Sequence, residues 1–221
     1  MSRIKVYDGH RWVDKPEAFK VKTNKGFSKA TVRRFNGKNW EVISATRKTK
    51  TWEATWTQSY WGWNAAKPAN RGGNRLYQGR YGAPDTQWRG DVGIQKGMAG
   101  FNDGDMRNTL RGSKIEKVEV YLHSNWWWYW AGGESVLGLH NSAGWQSTFH
   151  SVKNDIKRQR FGRREEGHWF TVPNWVGEWL RDGKARGITT YINSSNVWFY
   201  GYFYGTQGGS KRPKIRITYV N

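Results

Sequence analysis

The way the apolar residues alternate constrains this chain's fold more than any other feature. From Lys117 to His123 the sequence reads Lys-Val-Glu-Val-Tyr-Leu-His, with Val118, Val120 and Leu122 at every second position. A period of two is that of a strand with one buried face. Ile188, Thr190 and Ile192 repeat the pattern, as do Ile215, Ile217 and Tyr219. Ser135–Leu139 and His168–Val172 read as further strands. Val197–Gly205 reads as one more, with Val197, Phe199 and Phe203 on one face and Trp198, Tyr200, Tyr202 and Tyr204 on the other. The 27 glycines supply the tight connections such a chain needs. One segment is helical: Pro173-Asn174 opens it, Trp175, Val176 and Trp179 or Leu180 share a face, and Gly183 stops it. The expectation is an all-β protein, an antiparallel jelly-roll sandwich with one short helix. Its core would join Val118, Val120, Leu122, Leu137, Leu139, Ile188, Ile192, Phe199, Phe203, Ile215 and Ile217.

A small β-hairpin repeat precedes the sandwich. Tyr7-Asp8-Gly9-His10-Arg11-Trp12 is echoed by Phe35-Asn36-Gly37-Lys38-Asn39-Trp40. Asp-Gly and Asn-Gly suit hairpin turns that need positive φ, so each copy predicts a hairpin, with type I′ as its turn. A lone two-stranded hairpin is marginal in water. Residues 1–45 are therefore expected to pack on something else, as an attachment element using Tyr7, Trp12, Phe35 and Trp40. Residues 46–51 are polar and basic and read as a linker, leaving 52–221 for the sandwich.

Sixteen tryptophans mark the chain, four of them in the run Trp126-Trp127-Trp128-Tyr129-Trp130. Neighbouring residues of a strand point to opposite faces, so these indoles cannot all enter one core. Trp126, Trp127, Trp128 and Trp130 are read as a contact surface, since large rings with a polar edge anchor interfaces. Trp198, Tyr200, Tyr202 and Tyr204 would form a second ladder of rings about 7 Å apart on a regular strand. The net charge of +20 favours anionic partners. The run Lys153, Lys157, Arg158, Arg160, Arg163, Arg164 supplies candidate anion contacts, chiefly its last five members.

The order of segments in the C-terminal half resembles a known module. Ile115-Glu116-Lys117-Val118-Glu119-Val120-Tyr121-Leu122 comes first, then Val176-Gly177-Glu178-Trp179-Leu180-Arg181-Asp182-Gly183, then Arg212-Pro213-Lys214-Ile215-Arg216-Ile217-Thr218-Tyr219. This resembles the DNRLRE-type jelly-roll modules, non-catalytic parts of surface proteins similar to carbohydrate-binding modules. Ser113–Asn141, with Gly132-Gly133 and Leu139-His140-Asn141, is similar to minor tail or tail-fibre proteins of bacteriophages that infect Gram-positive hosts. The aromatic-Asn/Asp-Gly-x-x-Trp units at 5–43 also resemble phage tail repeats. The Leu-Arg-Glu element that names the module is not visible in this chain.

Motifs of reaction chemistry are lacking. The sequence has no His-Glu-x-x-His, no Gly-x-Ser-x-Gly, no phosphate-binding glycine loop and no EF-hand loop. Its five histidines lack metal-ligand spacing, and His140 reads as a structural residue at a strand end. Glu165-Glu166 sit in a basic stretch, where pairing with Arg163 or Arg164 explains them better than glycoside hydrolysis does. Asn102-Asp103-Gly104-Asp105 reads as a loop turn. No cysteine is present to form a disulfide or a thiolate site. No apolar run is long enough to span a bilayer, and the first 20 residues do not read as a signal peptide.

The expected function is that of a non-enzymatic phage virion component at the tail, made in the host cytoplasm. It would have no cofactor and no catalytic or metal site. It would bind other virion proteins, and a host-surface glycan or anionic cell-wall glycopolymer, as a homo-oligomer or part of a larger assembly without membrane insertion. The alternatives are a basic, aromatic nucleic-acid-binding module or a capsid decoration or lattice protein. Against nucleic acid stands the absence of any Lys or Arg in residues 124–135, around the tryptophan run.

Overall fold

The computed structural model describes residues 46–60, 75–80 and 93–220 throughout. Of the rest it describes His10, residues 37–39 and the backbone of short strands. The chain divides into two compact units, residues 1–48 with 220–221 and residues 49–219.

In the first unit the strands pair as hairpins: β1 (Lys5–Tyr7) with β2 (Trp12–Asp14), β3 (Lys20–Thr23) with β4 (Gly26–Lys29), and β5 (Arg33–Phe35) with β6 (Trp40–Val42). Tyr7 lies opposite Trp12 and Phe35 opposite Trp40. Four residues thus separate the last paired positions of both repeats, where the sequence suggests a two-residue turn. Gly37 has a φ of +95°, the left-handed geometry expected of it. The side chains of Tyr7, Trp12, Phe35 and Trp40 lie outside the described residues. The β3–β4 hairpin is not part of the repeat and escapes the sequence reading.

The second unit is all-β, as its alternation requires. Its strands are β7 (Arg47–Glu53), β8 (Trp56–Trp61), β9 (Lys67–Pro68), β10 (Arg75–Arg80), β11 (Ile94–Gly100), β12 (Lys114–Trp127), β13 (Gly133–His140), β14 (Lys153–Phe161), β15 (Glu166–Val172), β16 (Gly187–Thr190), β17 (Gly201–Tyr204) and β18 (Lys214–Val220). They join one curled, mostly antiparallel sheet in the order β14-β13-β16-β11-β10-β17-β12-β18-β7; β15 pairs with β12, β8 with β11 and β9. β10 and β11 pair over two positions only, Gly79 with Gln95 and Arg80 with Ile94. Residues 46–51, expected as a linker, are mostly the start of β7, which pairs with β18 and buries Trp52. Their exposed face is polar because β7 closes one end of the strand order.

The curl presses two leaves together, β14-β13-β16-β11 against β10-β17-β12-β18. Nine of the eleven residues expected in the core are buried there; Ile192 and Phe199 are only half-buried. Ile192 falls two residues beyond β16. Phe199 lies in a 3-10 turn, Val197–Phe199, which Asn196 caps by accepting the Trp198 N–H at 2.9 Å. Gln78 ties the leaves: its amide donates to Glu134 O and Phe199 O at 2.8 and 2.9 Å, and its Oε1 accepts the Val136 N–H at 2.6 Å. A buried amide so fully bonded fixes the register of one leaf on the other.

Two α-helices pack against each other, the later of them also lying on β12. The expected one is α2 (Asn174–Arg181), ended at Gly183 with φ +74°; its Gly177 lets the backbone approach Val118 and Ile115. The other, α1 (Asp103–Leu110), corrects the sequence reading of a plain turn. Asn102 is its N-cap, accepting the Asp105 N–H at 3.1 Å, and Asp103 and Asp105 suit the positive end of the helix dipole.

Candidate binding surface

The tryptophan run does not behave as a single surface. Along β12 the inward residues are Val118, Val120, Leu122 and Ser124, and then the phase changes. The register on β17 shifts between Ser124 and Trp126, an irregularity that moves the inward position to Trp127. Trp127 is consequently 0 % exposed. Its ring lies 5.6 Å from Phe161 and 5.4 Å from Phe203, in the space left by Gly133 and Gly201, where any Cβ would collide with it. The reading of Trp127 as a contact residue is therefore corrected: it is a core residue.

The same shift turns Trp126 outward. It stacks on Tyr202 at 5.8 Å with 14° between the planes, and Tyr202 in turn meets Tyr77 at 5.0 Å. Tyr77, Tyr202 and Trp126 are opposite one another on β10, β17 and β12, so they form a row across three strands. Arg75 lies 4.5 Å over Tyr202. This row replaces the ladder expected along residues 198–204. That ladder is broken because Trp198 belongs to the 3-10 turn and Tyr200 is buried, its hydroxyl accepting from Gln95. Tyr204 remains on the outward face beside Tyr202, but its hydroxyl is engaged by Glu165.

Beyond Trp127 the chain makes a tight turn. The Gly132 N–H donates to Tyr129 O at 3.1 Å, which leaves Trp130 and Ala131 at the apex. Gly132 has φ +88° and sits against the Phe161 backbone, which leaves no room for a side chain. Exposure accordingly rises along the turn: 37 % for Trp128, 45 % for Tyr129 and 78 % for Trp130. Three neighbouring rings thus stand out on a braced tip.

Arginines hold this tip. Arg164 donates from Nε to Trp127 O at 2.9 Å and from Nη2 to Trp128 O at 3.1 Å. Its guanidinium lies 4.8 Å from the Trp126 ring centre and 4.0 Å from that of Trp130, between the two indoles. Arg160 lies 5.7 Å over Trp198, whose ring is 6.2 Å from Tyr129, and Arg158 lies 5.7 Å over Phe199. The argument that the tryptophan run has no basic neighbours is therefore overturned in space. The neighbours come from β14 and the loop after it, more than 25 residues away in sequence, and pairing of β13 with β14 delivers them.

The acids of this region are already engaged. Asp155 chelates Arg158, and Glu134 lies 3.8 Å from the same guanidinium. Glu165 accepts from Lys211 at 2.7 Å and from Tyr204 at 2.8 Å rather than pairing with Arg163 or Arg164. Burial alone would raise the Glu165 carboxyl, but these two hydrogen bonds outweigh it and hold it below the usual range. Glu166 accepts the backbone N–H groups of Gly162 and Arg163 and faces His168 at 3.1 Å. The two glutamates thus anchor the loop that carries Arg164.

The remaining singled-out residues are structural. His140 is buried; its Nε2–H donates to Ala99 O at 3.0 Å and its Nδ1 accepts the Ser142 N–H at 3.1 Å. Burial pushes its pKa down to about 4. No group of three or more metal-ligating side chains converges among the described residues. Among the same residues no helix is long and apolar enough to cross a membrane.

The chain matches no known protein-family model and no curated protein.

Proposed function

We propose that the protein is a non-enzymatic component of a bacteriophage virion, located at the tail, that contacts the host surface glycan through the tip centred on Trp130. The observation that carries this reading is the tip itself. Trp128, Tyr129 and Trp130 are exposed in succession on a turn held by Gly132 and Arg164. Exposed rings on a rigid mount lose little conformational freedom on binding, which is what an anchoring contact requires. The resemblance of residues 52–221 to phage jelly-roll modules supplies the virion context, and the N-terminal hairpins would serve as the attachment element to other virion proteins.

The test is binding of the whole protein to isolated walls of Gram-positive cells, beside the Trp128→Ala/Trp130→Ala variant. A loss of tenfold or more with an unchanged circular dichroism spectrum is expected; equal binding by the variant refutes the reading. A second reading, single-stranded nucleic acid, is favoured by one observation, the stacking of Arg160 and Arg164 on Trp198, Trp126 and Trp130.

A further inference from the structure

The charges around the tip do not balance. Lys157, Arg160 and Arg163 are exposed and Arg164 is half-buried, and among the described residues none of the four lies within ion-pair distance of a carboxylate. The acids that could have neutralised them are the four already committed to Arg158, Lys211, His168 and backbone N–H groups. Asp155 and Glu134 lie on the two paired strands that frame the tip, yet both serve Arg158. Four cations on β14 and the loop after it, of which Arg164 touches Trp130 and Arg160 lies over Trp198, thus have no counter-charge of their own. A surface whose role was only to stack on neutral sugars would gain nothing from that charge, which favours anions and repels cations.

We infer that the ligand of this tip is a polyanion, a glycopolymer whose repeating units are joined by phosphodiesters, with Lys157, Arg160 and Arg163 as its phosphate contacts and Arg164 as the mount for the rings. This rests on the proposed contact role of the tip and adds the charge of what it contacts. On a regular strand Lys157 and Arg160, three apart on β14, stand on opposite faces about 10 Å apart. Arg163 follows in the loop beyond, so the cations flank the end of β14 that the tip adjoins rather than lining one face. Arg164 differs from the other three. Both carbonyls it binds and both indoles it separates are its own chain's, so it shapes the surface more than it reads the ligand.

The geometry also favours such a polymer over a single nucleic-acid strand. A strand-tracking site combines a basic groove with successive stacking platforms along it. Here the exposed rings radiate from one turn, and Trp130 has one face already taken by Arg164. A point contact of this kind suits a short repeat met many times over on a surface, where several copies engage at once.

The test uses the full chain against three immobilised polymers: a glycerol-phosphate polymer, a neutral glucan and single-stranded DNA, over a range of salt. Three phosphate contacts at about 0.7 each predict a slope of about −2 for log K against log salt on the glycerol-phosphate polymer, so that doubling the salt weakens binding about fourfold. The Lys157→Gln/Arg160→Gln/Arg163→Gln variant should bring that slope close to zero while keeping the wild-type melting curve, since its three sites are exposed. Trp130→Ala should weaken binding while leaving the slope unchanged. Binding to the glucan as tight as to the glycerol-phosphate polymer, and independent of salt, overturns the inference while the contact role of the tip stands. Tighter binding to DNA than to the glycerol-phosphate polymer overturns it in favour of nucleic acid. If no polymer is bound and Trp130→Ala changes no wall binding, both the inference and the role of the tip fail.

Discussion

At the scale of single residues, Trp127 and Trp130 show how little a residue's type says about its role. They are three positions apart, one fully buried and one almost fully exposed. Trp127→Ala should cost about 3–5 kcal/mol, because the indole fills a space bounded by Gly133, Gly201, Phe161 and Phe203 that cannot close without it. Trp130→Ala should change stability by less than about 0.5 kcal/mol. Urea denaturation of the two variants measures both, and similar losses would refute the assignment. His140 supplies a second expectation. Its pKa lies near 4 in the folded protein, below the ordinary 6.5, so the unfolded chain takes up the proton first. Its contribution is complete above pH 6.5 and is lost as pH falls from 6.5 towards 4, by about 3 kcal/mol in all. His140→Gln offers a donor and an acceptor at the same ends but does not titrate, so the variant should lose this pH dependence and the stability gap between the two proteins should change by about 3 kcal/mol across that window. A difference that stays parallel to wild type down to pH 4 would show that His140 is not the titrating group.

At the scale of elements, the segments that were legible are those whose pattern is local. Val118, Val120 and Leu122 declare β12, Ile215 and Ile217 declare β18, and Pro173 with Gly183 brackets α2. What escaped depends on distant partners or on small polar caps. The phase change that buries Trp127 is set where β12 meets β17, and no reading of residues 124–130 alone contains it. Arg164 reaches Trp126 only because β14 returns beside β13. Asn102 and Asn196 each start a turn of helix inside a stretch that otherwise reads as loop or strand. Packing can also reverse a local preference, as Gly177 in α2 illustrates. Alanine there gains about 1 kcal/mol in helix propensity. Its Cβ would, however, stand 2.7 Å from Val118 Cγ2 and 2.8 Å from Ile115 Cγ2, and overpacking a filled core costs about 1–3 kcal/mol. Gly177→Ala is therefore expected to lower the melting temperature; a rise would mean that α2 can lift off β12 at little cost.

At the scale of the whole molecule, residues 49–219 contain a complete core of their own, with the aromatic tip included. A chain of residues 46–221 is expected to fold, with a near-ultraviolet spectrum showing ordered tryptophans and a single cooperative transition. Loss of that signal would show that the N-terminal hairpins are needed for folding as well as for the attachment proposed for them. The order of the strands has a further consequence, for the timing of folding. β18 lies between β12 and β7, and Leu76 of β10 faces Phe203 of β17 across 127 positions of chain. Contacts so far apart in sequence make the search slow, on the scale of milliseconds to seconds. A ribosome has to deliver residue 220 before the strand made first in this sheet can find its neighbour. Until then β7 is an unpaired edge waiting in the cell, and a nascent chain in that state is the form most open to capture by another copy of itself.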